Sequence, residues 1–373
     1  PDASGAPVGS AQSIGTPGVR GLGATFSLNQ SGGKASLLLT DGAIDFPGVF
    51  EESLVPFKRL SGDLSWQLRG DTVQVLLPRL QFANADTEGE LGLTWQTSDP
   101  ARSASRSRFP GVLDMQGSLL RANGARVHRY LPLVMAPQAR YYVRDAVQAG
   151  TASNVRFKVK GDLWDVPFAS AGQGEFRISA QVDGATLAYV PRSLQAADSR
   201  PWPAATRLAG ELVIDRQSLA VRNARASLAG AATLQIIRLD ALIADLARSV
   251  VAVNLEARGP LPELLAFVGN SPVGALTDQT LAGVVGTGAA ELRLKLDIPV
   301  EDVERTRVQG SVLLQGNDVQ VAPDLPRLMR VRGAVSFTET GFSVNGVQAR
   351  LLGGDVRIDG GSQPAAERAG AGM

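Results

Sequence analysis

Apolar and polar residues alternate strictly near the C-terminal end of the chain, over residues 331–354. Val335 and Phe337 alternate with small or polar neighbours, and Phe342 and Val344 do the same after a Glu-Thr-Gly corner. Because successive side chains of a strand point to opposite faces, this pattern predicts two strands with one apolar face and one wet face. The glycine at the corner suits the tight turn of a β-hairpin.

The same pattern of apolar residues and glycines occurs 123 residues earlier, where residues 208–230 align with residues 331–353. A third copy begins at Leu60 and has two additional residues at its corner, which leaves the assignment of the two faces unchanged. Self-similarity at a fixed spacing is typical of repeat proteins. We therefore predict a chain built from repeated β-hairpins.

A second feature extends the repeat beyond one hairpin. The alternation slips by one position at Gly184 and again 132 residues later, at Gly316. A β-bulge or turn at each glycine would absorb the slip. Each copy therefore contains a strand with a glycine slip, a crossing loop and then the hairpin.

The hydrophobic period changes to that of a helix between Ala125 and Gly150. Pro137 suits a first helical turn and Gly150 a C-terminal stop, so we predict a helical insert within residues 118–152. Residues 239–246 and 261–268 are each predicted to form a short helix. The arginines of the insert are interpreted either as a solvated helix face or as contacts for anionic lipid headgroups; they are Arg126, Arg129, Arg140 and Arg144.

Composition excludes several classes of function. The chain has 37 basic and 36 acidic residues, and this balance does not favour nucleic acid as a partner. It has one histidine, His128, and no cysteine, so cysteine-ligated zinc, iron–sulfur clusters and thiol chemistry are excluded. No hydrolase or metal-ligand motif is present. We predict a protein that is not an enzyme and that needs no cofactor and no metal.

Two polar stretches have alternative interpretations. Asp162 and Asp165 are spaced closely enough to suggest the carboxylate pair of a glycosidase, but two carboxylates beside a proline bend are more often turn residues. The loop 99–108 carries three arginines without interleaved aromatic residues, which favours a solvated loop over a nucleic-acid contact.

The chain begins without an initiator methionine, and its longest apolar run is too short to span a bilayer, so we expect a piece of a longer protein.

Several segments together resemble the central region of YhdP-type proteins of the AsmA-like family. The main run comprises RVHRYLPLVMAPQARYYVRDAV (126–147), GTASNVRFKVKGDLWDVPFA (150–169) and GEFRISAQVDGATLAYVP (174–191). It is reinforced by FANADTEGELGLTW (82–95), GPLPELLAFVGNSPVG (259–274) and LDIPVEDVERTRVQG (296–310). The resemblance covers roughly residues 22–360. It implies large Gram-negative envelope proteins that are anchored in the inner membrane by an N-terminal helix and carry phospholipid along a repeating β-groove.

The resemblance further implies a periplasmic location, phospholipid as the partner, and membrane attachment through parts of the protein outside this chain. It does not indicate which other envelope proteins take part.

The residues themselves support a groove, since a sheet with one apolar face must cover it with another layer or offer it to an apolar ligand. The alternative is a structural or adhesive envelope protein with a closed, dry β core.

We therefore expect a mainly β fold: an elongated, curved antiparallel sheet of repeated β-hairpins that forms an apolar groove, with short helical inserts. The expected segments are a tail (1–21), a first β-groove repeat (22–117), the helical insert (118–152), a second repeat (153–238), short helices with a Gly/Ala-rich loop (239–289), a third repeat (290–360) and a tail (361–373). The expected lining residues are Leu64, Trp66, Val73, Val75, Val155, Phe157, Val159, Phe176, Ile178, Val182, Leu212, Ile214, Leu219, Val221, Leu292, Leu294, Val335, Phe337, Phe342 and Val344.

Overall fold

The computed structural model describes residues 15–198, 200–270, 283–302 and 305–362. The described residues form two compact units, one within residues 15–181 with 214–216 and one within residues 182–213 with 217–362. Strands dominate both units, and every strand pair whose register is defined is antiparallel.

The first unit contains a meander of seven strands in which each strand pairs with the next along the chain. The strands are β1 (Gly18–Asn29), β2 (Gly32–Asp45), β3 (Leu54–Arg69), β4 (Thr72–Ala83), β5 (Thr87–Gln96), β6 (Val112–Asn123) and β7 (Val147–Asp162). Between β6 and β7 lie a 3₁₀ helix (Gly124–Tyr130) and the helix α1 (Pro137–Ala146), and a short 3₁₀ turn (Leu163–Asp165) follows β7.

The second unit has the same hairpin organisation. β8 (Gly174–Leu187) begins in the first unit, and a 3₁₀ turn (Arg192–Leu194) and β9 (Ala205–Asp215) follow it. The remaining elements are β10 (Ser218–Leu228), β11 (Ala231–Ile243), β12 (Val250–Pro260), α2 (Leu261–Asn270), β13 (Val285–Gly286), β14 (Ala289–Pro299), β15 (Arg307–Gln320), β16 (Leu328–Thr338), β17 (Gly341–Leu351) and β18 (Gly354–Gly361). From β10 onward each strand pairs with its successor, except that β12 pairs with β14 and the short β13 pairs with β15.

The repeat read from the sequence is present in the structure. β9 and β10 have the same lengths as β16 and β17, and the next strand begins 123 residues apart in the two copies, at Ala231 and Gly354. Both slip glycines have a positive φ, 60° at Gly184 and 109° at Gly316. The register of β15 against β16 shifts between Gln315 and Asn317, on either side of the second of these glycines. The glycine therefore supplies a backbone conformation that other residues rarely adopt, and the strand changes register there.

Three sequence predictions need correction. The helix predicted at 239–246 is wrong, because Leu239–Ile243 belongs to β11 and pairs residue by residue with β12. Its apolar residues lie on both faces of a strand, which imitates helical spacing over a short window. The tail predicted at 1–21 extends too far, since β1 begins at Gly18, and the insert is shorter than 118–152, since strand pairing continues to Asn123 and resumes at Thr151.

The predicted fold class, a mainly β protein of antiparallel repeated hairpins with short helices, is confirmed. The predicted helix at 261–268 is also correct, as α2. Residues 1–14, 363–373 and 271–282, the last within the predicted Gly/Ala-rich loop, lie outside the described residues. The division into three groove repeats stays a prediction.

Candidate functional site

An apolar face runs across all seven strands of the first unit. Cross-strand register places one residue from each strand in a single row: Leu22, Leu39, Leu60, Phe82, Gly89, Leu119 and Val155. Residues directly opposite each other on antiparallel strands have Cβ atoms about 5 Å apart, so the row is a continuous apolar band.

Further rows parallel to this one complete the face. Trp66, Val75, Trp95 and Leu113 are successive cross-strand partners, as are Leu80, Leu91, Gly117 and Phe157. The register places seven predicted lining residues on this face: Leu64, Trp66, Val73, Val75, Val155, Phe157 and Val159. Local alternation therefore assigned these side chains to one and the same face.

Exposure changes along the strands of this face. Leu39 is fully buried and Leu60 is 4% exposed, in the middle of β2 and β3. Towards the turn between β1 and β2, Phe26 is 65% exposed and Leu28 is 63% exposed, although both lie on the apolar face opposite Ala35 and Gly33. The face is thus covered at one end and open to solvent at the other.

The second unit carries its own apolar face. One row contains Ile236, Ala257, Leu292, Val312, Val335 and Val344, and the next contains Leu239, Leu255, Leu294, Gly310, Phe337 and Phe342. The predicted lining residues on this face are Leu219, Val221, Leu292, Leu294, Val335, Phe337, Phe342 and Val344. The rows become more exposed away from α2, and Phe342 is 47% exposed.

The other predicted lining residues lie in β8 and β9. Phe176 and Ile178 are half-buried, whereas Arg177 between them is exposed and forms an ion pair with Asp215 at 2.8 Å. Val182 packs against the core of the second unit. Leu212 and Ile214 are half-buried, but the intervening Val213 is buried as well, so β9 covers both of its faces there. The alternating pattern did not indicate Val213, because Val213 lies on the face of β9 that was predicted to be exposed to solvent.

The helix α2 covers one end of the apolar face in the second unit. Leu261 and Leu264 are buried in the same cluster as Ile236, Ala257 and Ala290. The Glu263 carboxylate accepts hydrogen bonds from the backbone N–H groups of Thr233 and Leu234, at 3.2 and 3.1 Å. This carboxylate therefore fastens the first turn of α2 to the beginning of β11.

A polar cluster fastens the helical insert of the first unit. The Tyr130 hydroxyl donates to Asp86 at 3.0 Å and accepts from the Asn84 amide at 2.9 Å, while Arg129 donates to the same Asp86 carboxylate at 2.8 Å. Burial raises the pKa of Tyr130 to about 12, and the hydrogen bond to Asp86 adds to this effect, so the hydroxyl stays a donor at neutral pH. The Tyr130 and Phe50 rings also meet edge to face.

Two arginines of the insert are paired with adjacent acids of the loop between β2 and β3. Arg140 forms an ion pair with Glu51 at 2.9 Å, and Arg129 forms one with Glu52 at 2.7 Å. The interpretation of a solvated arginine face is therefore wrong for Arg129 and Arg140, while Arg126 is exposed as that interpretation expected. The sequence carried no signal for these pairs, because the partners lie 77 and 89 residues away.

Asp162, one of the two aspartates considered as an acid/base pair, holds a loop in place through hydrogen bonds. Asp162 accepts hydrogen bonds from the hydroxyls of Ser98 and Ser103 and from the backbone N–H of Trp164. Burial tends to raise the pKa of Asp162, but the hydrogen bonds from Ser103, the Trp164 N–H and Ser98 outweigh it, so the pKa lies below its ordinary value. A general acid would need a raised pKa. The arrangement is that of a carboxylate that ties a loop to the end of β7.

The described residues contain no group of His, Asp or Glu side chains arranged to hold a metal ion. His128 contacts the backbone oxygen of Ala125 through Nδ1, at 3.1 Å. Among the helices of the described chain, none has the length and apolar character needed to cross a membrane. A depression of about 750 Å³ in the second unit is lined by polar residues such as Lys295, Gln309 and Thr338, and also by Leu294 and Phe337 of the apolar row.

Comparison with known proteins adds an independent finding. The family model described as YhdP protein matches residues 7–371. The intermembrane phospholipid transporter YhdP of Escherichia coli (strain K12) is 24% identical over 238 residues, which are 64% of this chain and 18% of that protein. The chain thus matches less than a fifth of its relative's length, and no solved structure matches it. Since the family model covers nearly the whole chain, the protein belongs to the YhdP family.

Proposed function

We propose that this chain is a non-enzymatic segment of a periplasm-spanning phospholipid conduit, which shelters acyl chains on its apolar faces between the inner and outer membranes. Attachment to the inner membrane is assigned to parts of the protein outside this chain. The proposal extends to this chain what the name of its Escherichia coli relative says of that protein.

The observation that supports the proposal most strongly is the unbroken apolar row of the first unit, together with its exposed end. Seven strands contribute to the row, yet Phe26 and Leu28 of the same face remain mostly in solvent. Soluble proteins rarely leave large apolar patches open unless a ligand or partner covers them. Each methylene that leaves water contributes about 0.8 kcal/mol, so an acyl chain is a ligand that such a face would bind strongly.

The predicted lining residues take their role from this proposal. The predicted lining residues that have defined cross-strand partners belong to the two apolar faces. An acyl chain that passes along a face would contact these residues one after another. The alternative, a structural or adhesive repeat protein with a closed dry core, requires a second layer over the apolar face. The exposed phenylalanines and leucines of the face argue against it.

The proposal is tested by measuring the phospholipid that remains bound to the purified chain. The chain is purified after expression in bacteria, without added lipid, and its organic extract is analysed by mass spectrometry for phospholipid. The proposal expects stoichiometric phospholipid in the unaltered chain, a marked loss in Leu294→Asp, and retention in the matched variant Lys295→Asp, since Lys295 lies on the wet face. A carboxylate on the lipid path would have to be desolvated when acyl chains pass. Absence of phospholipid from the folded, unaltered chain would refute the proposal.

A further inference from the structure

Two arginines of the first unit, the buried Arg140 and the partly buried Arg129, form ion pairs with acids from one surface loop. The Arg140 side chain is 9% exposed and the Arg129 side chain 21% exposed, whereas their partners Glu51 and Glu52 are more than half exposed. The two glutamates are neighbours in the chain, so both guanidinium groups end at the same short loop. An anion from outside could replace these carboxylates without any change to the two arginines.

The arginine pair lies at the covered end of the apolar face. Arg129 also contacts Asp86, which belongs to the turn between β4 and β5. Phe82 precedes this turn and Gly89 follows it, and both belong to the apolar row of the first unit. Two guanidinium groups thus adjoin a long apolar surface. Once Glu51 and Glu52 are displaced, these groups are able to pair with the anionic head of a phospholipid whose apolar tails lie on that surface.

We infer that Arg129 and Arg140 form a binding site for the phosphate of a membrane phospholipid, and that Glu51 and Glu52 occupy this site until the phosphate displaces them. This inference rests on the proposed function. Arginine presents its donors in a planar fork that binds carboxylate and phosphate oxygens with the same geometry, so one anion exchanges for the other. No covalent bond changes in this exchange.

The dimensions of the apolar face agree with this assignment. Along β3, the face extends from the buried Leu60 to Leu68 at the open end, a distance of about 26 Å at the usual rise of a strand. One leaflet of a bilayer has a hydrocarbon thickness of about 15 Å. A phospholipid whose phosphate lies at the arginines therefore has room for its acyl chains on the face.

The described part of α2 offers different chemistry at the covered end of the second unit. The helix over that end presents Glu263 and the apolar Leu261 and Leu264. A carboxylate and apolar side chains disfavour a phosphate there. The inferred headgroup site therefore belongs to the first unit.

The experiment titrates the full 373-residue chain, freed of co-purified lipid, with three probes in a calorimeter. The probes are dioctanoyl phosphatidylglycerol, dioctanoylglycerol, which lacks the phosphate, and inorganic phosphate. Arg140→Gln should weaken phosphatidylglycerol binding by about tenfold, as expected for loss of a charge-assisted hydrogen bond, and leave dioctanoylglycerol binding within twofold. Glu51→Gln should strengthen phosphatidylglycerol binding several-fold because it removes the competing carboxylate.

Arg126→Gln is the matched control, because Arg126 belongs to the same insert and is exposed, and it should leave the binding of both lipids unchanged. If Arg140→Gln fails to fold, Glu51→Gln decides alone, since it keeps both arginines. If Arg140→Gln or Glu51→Gln changes the affinity for phosphatidylglycerol and for dioctanoylglycerol by the same factor, the inferred headgroup site is refuted. Inorganic phosphate that binds as tightly as phosphatidylglycerol would show a free-anion site instead. If neither lipid binds to the unaltered chain, the proposed function itself fails, whatever the arginine variants do.

Discussion

The Phe337 ring lies directly over Gly310 of the neighbouring strand, on the apolar face of the second unit. A Cβ on Gly310 would overlap three atoms of that ring. The same arrangement occurs twice in the first unit, where Trp66 covers Gly33 and Phe157 covers Gly117. In each pair the missing side chain leaves the space that the aromatic ring of the neighbouring strand occupies.

Gly310→Ala should therefore destabilise the protein by about 1–3 kcal/mol, because the added methyl forces the Phe337 ring off its strand. In a Phe337→Leu background the same change should cost much less, since alanine is otherwise better than glycine in a strand. Urea unfolding of the four proteins in this double-mutant cycle measures the coupling. Additive effects would show that the ring does not depend on the glycine.

The two faces of a strand should differ in their contact with lipid. A photo-crosslinking residue at Phe337 or Phe157 should capture phospholipid in cells, and the same residue at Ser336 or Arg156 should capture little. Each pair consists of neighbours on opposite faces of one strand, so position along the strand is controlled. Equal capture at both members of a pair would contradict the assignment of the faces.

Asp162→Asn should lower stability at neutral pH, and the difference from the unaltered protein should shrink in acid. The pKa of Asp162 is lower in the folded state than its ordinary value, so its contribution is complete above the unfolded pKa of about 3.9 and is lost as the pH falls through the folded pKa. Unfolding free energies measured from pH 7 to pH 3 give the profile. Asp165→Asn is the control, and an identical pH profile in both variants would refute the role assigned to Asp162.

Glu263→Gln should loosen α2 over its end of the apolar face. The neutral amide accepts weaker hydrogen bonds from the Thr233 and Leu234 backbone than the carboxylate does. Hydrogen exchange should speed up by about tenfold at Thr233, Leu234 and the α2 amides, and stay unchanged in β17 and β18. Uniform acceleration throughout the second unit would indicate global destabilisation instead.

Much of the architecture follows from the sequence by itself. Alternation along each strand assigns Trp66, Phe157 and Phe337 to the apolar side, because a strand has no freedom to turn one side chain independently of its neighbours. The glycine slips at 184 and 316 and the spacing of the hairpins are also legible, since turns and bulges impose local requirements on residue type. These features depend on residues close together in the chain.

Tertiary structure alone decided the rest. Leu239–Ile243 is a strand because β12 pairs with it, although its local spacing also fits a helix. Arg129 and Arg140 are shielded from solvent, and their partners Glu52 and Glu51 lie 77 and 89 residues away in the chain. A local pattern shows that an arginine is charged, but the partner that lets it leave water comes from a distant part of the chain, and only the folded protein brings the two together.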